Sequence, residues 1–228
     1  PGNAPSAITV GAVKTFDTAR RSDDVIADYS SRGPTWFDGF AKPDVVAPGH
    51  RLLGPADAAQ TLYTLYPSLR GPSYGGRPYL YLSGTSMATG VVSGTVALMV
   101  EAARASHGAA PTPHALKAML QHSAFPMSAS NGGAPYDELT QGAGSLNAAG
   151  ALVLAEAINP TLPVGSAWLV ATVAEASVVD GQTINWGQHV VWGDHVVWGD
   201  TVYTNQTAWA NHVVWGDHVV WGDSLQAF

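Results

Sequence analysis

The chain has 228 residues, 46% of them hydrophobic, and only 12% are charged, for a formal net charge of −7. That supports one domain with a real core plus an appendage, and so few Lys and Arg argue against a nucleic-acid binder. The absence of Cys excludes disulfides, thiolate catalysis and cysteine-ligated zinc. No apolar run approaches the roughly 20 residues that span a bilayer, so no membrane span is expected.

In chain order, Ile8 to Val13 is short, β-branched and continuous, the pattern of a strand buried on both faces of a parallel sheet. Asp44 to Ala47, bounded by Pro43 and by Pro48-Gly49, is a second such strand. Between them Ser30-Ser31-Arg32-Gly33-Pro34 is rich in turn formers. Residues 51–79 mix Gly, Pro and Tyr without period and read as a long surface loop, ended by a strand from Tyr79 to Leu82. From Ser86 to about Ala103 the sequence is small or apolar almost all round, which predicts a helix buried on every side. Thr112 as N-cap and Pro113 at the first helical position open the next helix, with Leu116, Met119 and Leu120 on its apolar face. A third helix runs from about Asn147 to Ala157. Strands followed by helices give an α/β layered fold.

Chemistry concentrates at Leu82-Ser83-Gly84-Thr85-Ser86-Met87-Ala88, where a strand meets a helix and a serine stands at the helix start. Backbone N–H groups there are unpaired and the dipole is positive, which suits an oxyanion. Position alone favours the plainer reading of Ser86 as a helix cap.

Gly84-Thr85-Ser86-Met87-Ala88 is identical to the nucleophile motif of the subtilases, the subtilisin-like serine peptidases. Further segments resemble that family in its order. Pro1 to Ala12 is similar to the strand after the oxyanion loop, Tyr29 to Pro34 to F-S-S-x-G-P, Lys42 to Gly49 to K-P-D-x-x-A-P-G, and Gln141 to Ala149 to the closing turn and helix. The resemblance implies the C-terminal half of a three-layer α/β subtilisin-like domain with a parallel sheet. It implies Ser86 as nucleophile, its backbone N–H in the oxyanion hole and Thr85 in support. It also implies a secreted endopeptidase acting on proteins or peptides, whose catalytic Asp, His and oxyanion Asn lie upstream; the upstream half of the domain is then a partner of this chain. Relatives usually carry Pro, often followed by His, where Gly90 and Val91 stand here. Calcium is common in the family, but no cage of oxygen ligands is readable, and no cofactor is expected. His50, His107, His114 and His122 read as surface or cap residues, and Asp44 as structural.

The tail repeats His189-Val190-Val191-Trp192-Gly193-Asp194 at 195–200, 212–217 and 218–223. Four β-prone residues and Gly-Asp predict a short strand and a tight turn, stacked into a small solenoid or meander. Regular His and Asp also admit a metal-site reading, against the plainer one of a β-rich appendage with solvated side chains. The expected organisation is 1–160 catalytic-domain part, 161–183 linker and 184–228 repeat tail. Two rival functions are an esterase-like hydrolase using a local His and a non-catalytic binding or structural chain.

Overall fold

The computed structural model describes residues 2–36, 39–129, 133–163 and 166–187, and the backbone of 196–198 and 201–203. The rest of the hexad tail lies outside the described residues, and with it the expected stacking and the metal reading.

Strand β1 (Val10–Lys14) is the centre of a three-stranded sheet. It pairs in parallel with β3 (Val45–Pro48), Val10 opposite Val45 and Val13 opposite Pro48, and only its last two residues pair antiparallel with β2 (Val25–Ile26). Beyond β3, Val46 bridges in parallel to Ser145, which bridges Phe125. Side chains alternate between two cores, as the strand period demands. Val10, Ala12, Val45 and Ala47 enter the larger one, and Val13, Ile26 and Val46 the smaller, with Met127 and Tyr136. Both strands are buried on both faces, as a parallel-sheet reading of their sequences requires.

Helix α2 (Thr85–His107) lies over the sheet against β1 and β3 and packs along α5 (Ala148–Ala157). Gly108, at φ 74°, ends α2 as a left-handed C-cap. α3 (Pro113–His122) opens on Thr112, whose side chain accepts from the Ala115 N–H, and packs on α5. Asn147 caps α5 by accepting from the Gly150 N–H at 3.0 Å. A short helix α4 (Glu138–Gln141) precedes the closing turn at Gly142, where a side chain would run into the carbonyls of Pro43 and Asp44. Gly142 also sits at φ 62°, so glycine is required twice over.

The expectation that α2 is buried on every side fails. Its buried stripe is Ala88, Val92, Thr95, Met99 and Ala103, one row at helical spacing. Gly90, Ser93, Gly94, Ala97, Leu98 and Glu101 form the opposite, exposed face. The two faces look alike in sequence because the outward one carries mostly small residues, its charges confined to Glu101 and Arg104 in the last two turns. At 23 residues, α2 is also long and apolar enough to cross a bilayer by length and composition alone, a test that the core helix of a soluble protein passes as well. Its buried stripe is instead packed on the sheet and α5.

Residues 51–79 are not a bare loop. β4 (Leu52–Pro55) pairs antiparallel with β5 (Tyr79–Leu82), and α1 (Thr61–Leu65) and a 3-10 turn (Pro67–Leu69) lie between. The expected linker 161–183 also contains regular structure among its described residues. β6 (Ala176–Val179) and β7 (Gln182–Asn185) form a hairpin that carries the chain through the expected boundary at 184, and Trp168 and Trp186 join the main core. In the tail, β8 (Val196–Trp198) pairs antiparallel with β9 (Thr201–Tyr203), Trp198 opposite Thr201.

Candidate active site

β5 runs through Ser83 and Gly84 into α2, so Ser86 is the second residue of a 23-residue helix. The turn is clamped from below. The Gly84 N–H donates to the Gly49 carbonyl at 2.8 Å, and Arg51 N–H donates to Ser83 Oγ at 2.9 Å. Gly49 is the close approach, because a Cβ there would meet the Gly84 oxygen at 2.8 Å and the Ala88 Cβ at 3.0 Å. Tyr29 hydroxyl donates to the same Gly49 carbonyl at 2.9 Å and stands 3.5 Å from His50 Nδ1. Burial raises the Tyr29 phenol, which keeps it a donor at neutral pH.

The cap reading of Ser86 fails on this geometry. The N-cap is Gly84, and no side chain caps α2. Met87 and Ala88 N–H groups both reach the Gly84 carbonyl, at 3.0 and 3.3 Å. Among the described residues neither the Ser86 hydroxyl nor its backbone N–H makes a hydrogen bond, and Ser86 is exposed. A hydroxyl and an N–H on the positive end of a long helix are thus left for an incoming group. Thr85 is half-buried beside it, its carbonyl taken by Thr89 Oγ1 at 2.9 Å.

Among the described residues no base accompanies them. His107 Nε2 donates to the Glu156 carbonyl at 2.7 Å, His122 faces Glu175 at 3.5 Å and the edge of Trp186, and His50 lies against Tyr29. No histidine or carboxylate among the described residues hydrogen-bonds Ser86.

Asp44 is fully buried and faces two ammoniums and a main-chain N–H. Its Oδ2 takes Lys42 Nζ at 2.9 Å and the Thr9 N–H at 2.6 Å, and Lys117 Nζ lies 2.9 Å from Oδ1. The same ammoniums reach main-chain oxygens, Lys42 that of Ala7 at 3.0 Å and Lys117 that of Pro5 at 2.9 Å. Burial lowers the Lys42 ammonium from its ordinary range, and Asp44 opposes that shift. This knot ties the K-P-D segment to the first strand and to α3. Sequence alone misses Lys117, which lies on the buried face of α3 where a lysine is least expected. The best oxygen cluster here is therefore filled by ammoniums and does not fit calcium, and no group of three His, Asp or Glu among the described residues fits a metal.

The chain belongs to the subtilase family, whose model matches residues 1–151. It is 39% identical over 101 residues to the serine protease AprX of Bacillus subtilis, covering 44% of this chain and 22% of that one. It is 40% identical over 146 residues to pyrolysin of Pyrococcus furiosus, covering 63% of this chain and 9% of pyrolysin. Fervidolysin of Fervidobacterium pennivorans, described as a keratinolytic enzyme related to subtilisin, superposes with a TM-score of 0.49 at 24% identity, over 72% of this chain and 21% of that one. The chain thus spans under a quarter of the length of the two proteases.

Proposed function

We propose that the full-length protein is a serine endopeptidase in which Ser86 is the nucleophile. The observation that carries this is the pair of unspent groups on Ser86, hydroxyl and N–H, inside Gly84-Thr85-Ser86-Met87-Ala88 at the start of α2. The Ser86 oxygen attacks the scissile carbonyl carbon, and its N–H helps hold the resulting oxyanion while Thr85 supports the turn. The hydroxyl proton passes to a histidine oriented by an aspartate, both supplied by a segment outside these 228 residues, and then to the leaving amine. Water then cleaves the acyl-enzyme. Substrates are proteins or peptides, and the protein is secreted, as subtilase membership suggests. No step calls on a metal.

Two observations favour a missing partner segment over a local histidine. No described histidine reaches Ser86. The exposed face of α2, with Leu98 half exposed, is a surface that a further layer would cover. The repeat region after Gly187 is read as an appendage separable from the chemistry.

A peptide-hydrolysis assay on the full-length protein and on residues 1–228 tests this reading. Turnover by the full-length protein, lost in Ser86→Ala, and only about 10³–10⁴-fold catalysis over water from residues 1–228 are expected. Full turnover by residues 1–228, abolished by substituting one of their own histidines, would overturn it.

A further inference from the structure

Beside the nucleophile turn lies a cavity of about 230 Å³ with Thr85 in its wall. Asn3, Thr9, Ser31, Arg32 and Lys42 contribute to the same lining, together with glycines and prolines, and among the described residues no acidic one does. Arg32 stands at the variable position of the Ser30-Ser31-Arg32-Gly33-Pro34 segment, is exposed, and makes no hydrogen bond or ion pair among the described residues. An arginine that lines a concave site without an internal partner keeps all its donors for a ligand. Lys42 is not such a donor, because its ammonium is held by Asp44 and the Ala7 carbonyl. Asp44, behind that wall, is engaged by two ammoniums and does not neutralise Arg32. The chain as a whole carries −7, so a wall of hydroxyl, amide and guanidinium groups without a carboxylate is a local exception.

We propose that this cavity is a substrate subsite that selects an acidic side chain, with Arg32 as the residue that receives its carboxylate. The inference rests on the peptidase reading above, because it places the cavity next to the attacking serine. Arg32 pairs with carboxylates through a planar fork, so a glutamate or aspartate side chain entering from the cleft gains a charge-assisted contact that glutamine or leucine does not. Arg32 touches substrate in this account but takes no part in bond breaking.

The test uses the full-length protein and a peptide library varying one position at a time on both sides of the scissile bond. Wild type is expected to show a kcat/KM maximum for Glu or Asp at one position, about tenfold above the Gln or Leu peptide. Arg32→Gln should remove that preference while leaving the Leu peptide within about threefold, and Arg32→Glu should turn it toward Lys or Arg at the same position. Thermal melts of both variants separate lost selectivity from lost fold. Activity without an acidic preference at any position, or a preference unchanged in both variants, would overturn the proposal and leave the peptidase reading standing. Failure to cleave any peptide, with no labelling by a serine-directed phosphonate, would overturn both.

Discussion

Two family segments in this molecule bring polar side chains to helices and strands, and they spend them in opposite ways. At the Lys42-Pro43-Asp44 segment the charges face one another, two ammoniums and a main-chain N–H closing on one buried carboxylate while the ammoniums also donate to two main-chain carbonyls. At the Gly84-Thr85-Ser86 turn the hydroxyl and N–H of Ser86 are spent on nothing among the described residues. Burial without partners is costly, so a paired knot is what a structural charge must be. Polar groups left idle at an exposed helix start serve a ligand better than they serve the fold. The contrast fits Asp44 to a structural role and supports the proposal of Ser86 as nucleophile, although both are acid- or nucleophile-type residues in motifs of one family.

Substitutions at the two places should therefore fail differently. Ser86→Ala in the full-length protein is expected to lower kcat by about 10⁴-fold or more, a barrier change of about 5.5 kcal/mol, with an unchanged melting curve. Asp44→Ala leaves two buried ammoniums facing each other and should cost about 3–5 kcal/mol of stability, read by denaturant unfolding. Any loss of turnover in Asp44→Ala should follow the unfolded fraction. An Asp44 variant that stays folded and loses catalysis would break the comparison.

The C-terminal stretch sharpens it. Trp186 lies outside the family match at residues 1–151 yet is 5% exposed, donates its indole N–H to Ser177 Oγ at 2.9 Å and lies against Gly150. Trp186→Ala should destabilise residues 1–228 by about 3 kcal/mol, near the low end for a buried tryptophan because one ring face meets the groove at Val173 and Glu175.

A smaller effect is pH-dependent. Asp24 is buried, and desolvation is the main cause that pushes its carboxyl up to about 6, against the pull of Arg21. A raised carboxylate favours the protonated folded state, so its contribution to stability is present below about pH 4 and is lost as pH rises toward 6. Asp24→Asn should then stabilise the chain at pH 7 by about 1–2 kcal/mol, the loss of the Arg21 ion pair offsetting part of the gain, and flatten that part of the stability profile.

Gly90 gives the smallest expected change and probes the outward face of α2. A Cβ there meets nothing within 4 Å, so Gly90→Ala should stabilise residues 1–228 by about 0.5–1 kcal/mol. In the full-length protein the same change should destabilise, because the proposed partner layer covers that face. Equal stabilisation in both would deny the layer.

The strands, the helix starts and the nucleophile turn were legible because each has a local cause: continuous β-branched runs, Thr112 before Pro113, Asn147 before α5, and the Gly-Thr-Ser sequence. What was not legible is set by distant packing. Nothing near Lys117 announces Asp44, far away in the chain, and nothing in α2 says which of two similar faces is covered. The β4–β5 pairing is masked by its Gly and Pro residues, and Trp186, inside the expected tail 184–228, packs into the main core.

The central claim is tested most directly by treating the full-length protein with a serine-directed fluorophosphonate and mapping the adduct by peptide mass spectrometry. A single adduct on Ser86, absent in Ser86→Ala and accompanied by loss of peptide hydrolysis, is the result expected. An adduct on another serine that accounts for the activity, or full hydrolysis with Ser86 unmodified, would contradict it.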